Sequence, residues 1–152
     1  MVKDRLIKMG LLSLVVLSLS LIDQWLKQVG TLASQIGKHW GPINFVWYEN
    51  PGIAFSINLP SPIAIGLVII LLIILIRLFW LYRGGFGLYL IGLLLVISGG
   101  FSNLIDKLRF GFVRDFVAIG WLPIFNFADI MIFIGLIMII INISYGGRKQ
   151  KV

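Results

Sequence analysis

Cysteine is absent from the 152 residues, and histidine occurs once. Without cysteine there can be no disulfide, no thiolate metal site and no cysteine nucleophile, and the redox compartment stays open. A zinc site draws several His or Cys ligands, so none is expected, and no other metal or cofactor is assigned. A carboxylate-only Mg²⁺ or Ca²⁺ site is left open. His39 has no serine or aspartate partner at motif spacing and reads as an interfacial loop residue. Charge is scarce too. Only 12% of residues are Asp, Glu, Lys or Arg, where a soluble domain has about 25%.

What the chain has in excess is apolar surface. Hydrophobic residues make up 59% of it, more than one small soluble core can hide, so much of its surface must face lipid. The net charge of +7 invites nucleic acid, but the 13 Lys and Arg sit at the chain ends and in the gaps between apolar runs. Nucleic-acid binders cluster them along one face. Basic flanks on apolar spans report topology and anionic lipid instead. Membrane lipid, and no nucleic acid, is the expected partner.

Four segments approach the ~20 apolar residues that a helix needs to cross a bilayer: about 6–22, 63–82, 86–105 and 124–145. The fold class expected is all-α, four transmembrane helices in one domain, with a small β-rich segment at about 31–60. There "HWGPINFVWYENPGIAFSI" mixes aromatic and β-branched residues with Gly and Pro. Such a segment suits a small sheet lying on the membrane surface. A cleavable leader is the rival account of the N-terminus, but "TLA" at 31–33 is a poor cleavage site. An even helix number puts both termini on one side. That side collects eight Lys and Arg against five, so both termini are assigned to the cytoplasm.

Helix direction then gathers Asp23, Glu49, Asp106, Asp115 and Asp129 on the outer side, with Asn50, Asn103 and Asn126. Glu49 and Asp106 are expected to be solvated or paired with a nearby base, Lys107 or Arg109 in the case of Asp106. Asp129 opens the fourth apolar run, where an unpaired ionisable group is costly. A helix-start role with Asn126 is one explanation, since the helix dipole favours an anion in the first turn. A pair of carboxylates sharing a proton is the other, with one held neutral while its partner acts as base toward water. Asp115 lies fourteen residues before Asp129, with the bend "IGWLP" between them.

Five motifs in four stretches, two of them within 102–116, give a resemblance. "DQWLK" at 23–27, "NPGIAFS" at 50–56, "SNLIDKLRFGFVRDF" at 102–116 and "FNFAD" at 125–129 stand in order among four apolar spans. Together they resemble the lipoprotein signal peptidases (signal peptidase II), aspartic proteases of the bacterial inner membrane. The resemblance implies Asp115 and Asp129 as the catalytic pair. It implies Asp23, Asn50, Gly52, Asn103, Arg109, Asn126 and Ala128 as support and substrate-contact positions. Among them, Asp23 is expected to be an anchor rather than a third acid. The implied substrate is a diacylglyceryl-modified prolipoprotein, cut on the N-terminal side of its lipid-bearing cysteine by a single chain acting as a monomer.

Three residues depart from the family's pattern: Ser102 for Gly, Lys107 for Arg and Arg114 for Val. Lys107 forgoes a planar five-donor fork. Arg114, beside Asp115, is expected to depress that carboxyl. The segment between the two aspartate blocks also looks short, so any flap there would be reduced. Two further classes fit composition alone. A proton-coupled transporter would want a carboxylate near mid-membrane. A non-catalytic scaffold would pair Asp115 and Asp129 with Arg109 or Arg114.

Overall fold

The computed structural model describes residues 2–52, 60–82 and 87–146. The apolar runs form helices: α1 (Val2–Gln35), α2 (Ser61–Tyr82), α3 (Leu88–Phe110) and α4 (Phe127–Gly146). Between them lie three strands, β1 (His39–Trp40), β2 (Ile43–Asn50) and β3 (Val113–Ile119). Among the described residues, Ser61–Tyr82, Leu88–Phe110 and Phe127–Ser144 are long and apolar enough to cross a membrane.

Two helices overrun the expected bounds, each for a reason at its end. The first was expected to stop near residue 22 but continues to Gln35. In its second half the charged residues Asp23 and Lys27 are buried against the protein, so their polarity does not end the helix. It closes at Gly37 (φ 63°), where Gly37 N bonds Ser34 O and Lys38 N bonds Ala33 O. That is the pairing of a left-handed glycine cap. The β-rich segment accordingly starts at His39, not near residue 31, and residues 53–59 of it lie outside the described residues. The third helix was expected to end at 105 and runs to Phe110, closed by Gly111 at φ 83°. Asp106, Lys107 and Arg109 are therefore helical. The fourth begins at Phe127, three residues later than expected.

The third strand was not anticipated: β3 completes an antiparallel sheet in the order β1-β2-β3. A two-residue turn joins β1 to β2, with Gly41 at φ 57° in the first central position. In the β2–β3 register Tyr48 opposes Asp115 and Asn50 opposes Val113, with an irregularity between Phe45 and Tyr48. After Gly120 (φ 53°) the chain doubles back, and Phe125 exchanges backbone hydrogen bonds with Val117.

Helix α3 packs against each of α1, α2 and α4. Its contact with α4 is close because glycine faces backbone: a Cβ on Gly99 would meet Ala128 O at 2.5 Å, and one on Gly92 would meet Gly135 O at 2.7 Å. The first of these contacts sets the start of α4 one turn below Asn103. Against α1 the seam is polar. Ser20, Asp23, Gln24 and Lys27 recur at helical spacing on α1, as do Ser98, Ser102, Asn103 and Asp106 on α3. The two rows face each other through hydrogen bonds such as Ser20 Oγ to Ser98 O at 3.0 Å.

Candidate active site

Asn126 is the N-cap of α4, and Asp129 is the third helical residue after it. The Asn126 carboxamide oxygen accepts from Asp129 N at 3.0 Å, while Asp129 Oδ2 accepts from Asn126 N at 3.1 Å. Each side chain thus satisfies the other's backbone donor, which is a capping box. The helix-start role expected of the two residues is present. It leaves two groups to spare: Asn126 Nδ2 and Asp129 Oδ1.

Asn126 Nδ2 donates to Asp115 Oδ1. Asp115 reaches it from β3, because the return of the chain at Phe125 sets Asn126 beside the strand. Asn50, at the end of β2, donates from Nδ2 to Asp115 Oδ2 at 2.9 Å. Its own oxygen is held by Gly52 N at 3.0 Å. Asp129 Oδ1 accepts from Asn103 Nδ2 at 3.0 Å. Each carboxylate therefore receives one N–H on each oxygen, and Asn126 serves both. Asp115 is 1% exposed, while Asp129 is only partly buried.

Burial pushes the Asp115 carboxyl up to about 7, with repulsion from Asp129 as the second cause. The bonds from Asn50 and Asn126, and the charge of Lys27, offset part of that rise. Arg114 does not depress it, contrary to expectation. Alternation along β3 turns the Arg114 side chain to the opposite face, where it meets Asp106 and Gln24 at 2.7 Å each.

Asp106 also differs from expectation. It is fully buried and pairs with Arg114 at 2.7 Å and Lys27 at 3.1 Å, not with Lys107 or Arg109. Its two oxygens also accept Gln24 Nε2 and Arg114 N. Lys107 is buried and donates to Pro51 O at 2.9 Å, which ties α3 to the turn that carries Asn50. Asp23 accepts Ala128 N at 2.8 Å and Ser102 Oγ at 2.6 Å, and pairs with Lys27 at 2.8 Å. It is an anchor for the first turn of α4, and buried Ala128 supplies that amide.

Most of the expected site residues thus converge: Asp115, Asp129, Asn50, Gly52, Asn103, Asn126, Asp23 and Ala128. Arg109 does not. It is exposed at the end of α3, with its guanidinium 5.5 Å from the Phe110 ring centroid. Lys27, Gln24 and the inward role of Asp106 were missed. The signal was available as matched spacing, "DQxxK" on one helix and "SNxxD" on the other. Neither Asp115 nor Asp129 forms an ion pair among the described residues, so the scaffold alternative lacks the pairing it requires.

Fold and site define a helical membrane protein with a hydrogen-bonded carboxylate pair at the mouth of its apolar helices. A family profile described as signal peptidase (SPase) II matches residues 14–145. A lipoprotein signal peptidase of Halothermothrix orenii is 32% identical, with 91% of this chain and 97% of that protein covered. One of Shewanella amazonensis is 35% identical, covering 78% and 84%. A solved structure of a bacterial membrane enzyme superposes with TM-score 0.81 at 26% identity, covering 93% of this chain and 92% of that one. Another gives 0.74 at 28% identity, covering 88% and 92%. The chain belongs to the signal peptidase II family.

Proposed function

We propose that the protein is a prolipoprotein signal peptidase working as an aspartic endopeptidase, with Asp115 and Asp129 as the catalytic pair. The observation that carries this is the double role of Asn126, which binds the Asp115 carboxyl through its side-chain amide and the Asp129 carboxyl through its backbone N–H. Protons in such a pair belong to both members. Asp115, lifted by burial and sited on a strand, is the better holder of the shared proton. Asp129 is only partly buried and sits in the first turn of α4, where the helix dipole and two N–H donors offset part of the cost that burial places on its charge.

In that state Asp129 takes a proton from water as the water oxygen attacks the scissile carbonyl carbon. The Asp115 hydroxyl gives its proton to the carbonyl oxygen. The resulting gem-diol collapses with cleavage of the C–N bond, and the departing nitrogen takes up the proton held by Asp129. Asp115 recovers its proton from the gem-diol hydroxyl. The amide cut is the one on the N-terminal side of the lipid-modified cysteine.

Helix α1 crosses the membrane as the fourth span, both termini are cytoplasmic, and the pair lies at the outer face of the inner membrane. A transporter is less well supported, because Asp129 sits at a helix start and not midway along it. The test uses purified protein and a diacylglyceryl-modified prolipoprotein, following release of the signal peptide. Asp115→Asn and Asp129→Asn should each abolish release while the protein stays folded. Full activity in either variant refutes the assignment.

A further inference from the structure

Lys27 is among the most deeply buried side chains in the molecule, 0% exposed, and carries a full charge on a helix expected to face lipid. Its ammonium has three acceptors: Asp23 Oδ2 at 2.8 Å, Asp106 Oδ2 at 3.1 Å and Asn103 Oδ1 at 2.8 Å. The first two close a neutral four-charge cluster, Asp23 and Asp106 against Lys27 and Arg114. The third is different in kind. An ammonium can only donate, so Lys27 fixes which end of the Asn103 carboxamide faces it. With Oδ1 turned to Lys27 and to Asn126 Nδ2 (3.3 Å), the amide Nδ2 must point at Asp129 Oδ1.

We propose that Lys27 is a positioning residue for the carboxylate pair, acting through Asn103, rather than only a buried strut between α1 and α3. This rests on the peptidase reading above for its consequence in catalysis. Without Lys27, Asn103 Oδ1 keeps only the longer bond from Asn126 Nδ2, itself shared with Asp115, against a flip that would turn its oxygen toward the Asp129 carboxylate. Charged groups face Lys27 from its surroundings on several elements: Asp23 on its own helix, Asp106 on α3, Arg114 and Asp115 on β3, and Asp129 on α4. The carboxylate of β2, Glu49, accepts from exposed Trp47 Nε1 instead. Lys27 thus acts on both carboxyls of the pair, whereas Lys107 acts on Asp115.

A merely structural ion pair makes a distinct prediction. Replacing a buried pair by groups of similar volume is often neutral. The double variant Lys27→Met, Asp23→Asn removes one charge of each sign. Its introduced carboxamide keeps an oxygen for Ala128 N and an amide for Ser102 Oγ. If Lys27 is only a strut, that variant should cleave normally once folded.

With Lys27 in a positioning role, kcat should instead fall on the order of 10–100-fold, as for a slightly misplaced catalytic group. KM should stay within about twofold because substrate contacts are kept. The Asp115 carboxyl, followed by ¹³C NMR in micelles, should titrate at higher pH than in the wild type. Normal kcat together with an unmoved Asp115 titration would overturn the positioning role. If the wild-type protein releases no signal peptide, the peptidase reading fails instead, and the titration still decides whether Lys27 acts on the pair. Should the double variant not fold, Asn103→Asp tests the second link of the same relay, from Asn103 to Asp129. It retains an oxygen for Lys27 while denying Asp129 its donor, and it should lose kcat with KM retained; unchanged kcat would count against the proposal.

Discussion

Replacing Asp115 by Asn should change the sign of its effect on stability between pH 3 and pH 8. The Asp115 carboxyl titrates at about 7 in the folded protein against 3.8 for the free group. Since the folded pKa is the higher one, the folded state binds the proton more tightly between those values. Stability therefore falls as pH rises from about 4 to about 7 and is flat above. At 1.36 kcal/mol per unit, the ceiling on that loss is about 4 kcal/mol. A carboxamide at this position does not titrate, so the substitution removes the loss. Against this gain stands one lost hydrogen bond. Both oxygens of Asp115 accept amide N–H groups, from Asn50 and from Asn126, so an NH₂ must confront one of the two. Neither donor can turn over freely, because Gly52 N holds the Asn50 oxygen and Asp129 N holds that of Asn126. An unpaired buried donor costs about 1–3 kcal/mol. At pH 3, where Asp115 is protonated in the folded and the unfolded chain alike, only that cost remains and the variant should melt lower. At pH 8 the gain wins by about 1–3 kcal/mol, or several degrees in a chain of this size. Thermal melts in detergent at the two pH values measure it, with cleavage absent at both. A D115N protein that melts below the wild type by the same margin at both pH values would refute the burial argument.

Cleavage by the wild-type protein should decline above about pH 7, roughly tenfold per unit in kcat/KM. The Asp115 proton required in the free enzyme is lost there, and a profile flat to pH 9 would contradict it. Asn126→Ser should separate the cap from the site, since serine caps helices about as well as asparagine. The helix start should survive while kcat drops, because the shorter serine side chain can accept Asp129 N but cannot also donate to Asp115; an unchanged kcat would show that the link to Asp115 is dispensable. Gly30→Ala should destabilise the protein despite alanine's advantage of about 1 kcal/mol within a helix. Its methyl would run into the Phe116 ring, next to Asp115 on β3, and overpacking costs about 1–3 kcal/mol. A variant as stable and active as the wild type would show that β3 can shift without harm.

The sequence was most readable where chemistry and local geometry coincide. The apolar runs around α2 and α4 could be seen because little polar interrupts them, Arg77 in the one and Asn142 in the other, and "FNFAD" because a capping box needs its two members three residues apart. Less could be read where partners meet only in the folded chain. The span of α1 from Asp23 to Gln35 looked like an end of the apolar helix, since polar side chains buried against another helix are indistinguishable in sequence from solvated ones. Strand β3 was hidden because "VRDFVAI" alternates only in the sense that each neighbour has its own use. Val113, Arg114, Asp115 and Phe116 are all buried, on a strand covered on both faces. Covered strands lose the alternation that identifies half-exposed ones.

That double burial is also what separates Arg114 from Asp115. Adjacency in sequence suggested that the cation would lower its neighbour's pKa, but on a strand adjacency means opposite faces. The guanidinium goes to Asp106, and the carboxyl is left among amides that stabilise its charge only in part. A residue two positions away on the strand would share the face of Asp115, and Val113 and Val117 hold those places. A cation at either position would face the carboxyl and drive it toward ionisation, removing the proton on which the pair depends. The apolar choice at 113 and 117 therefore matters to the chemistry as much as the aspartate between them. It also accounts for an arginine being tolerated at 114.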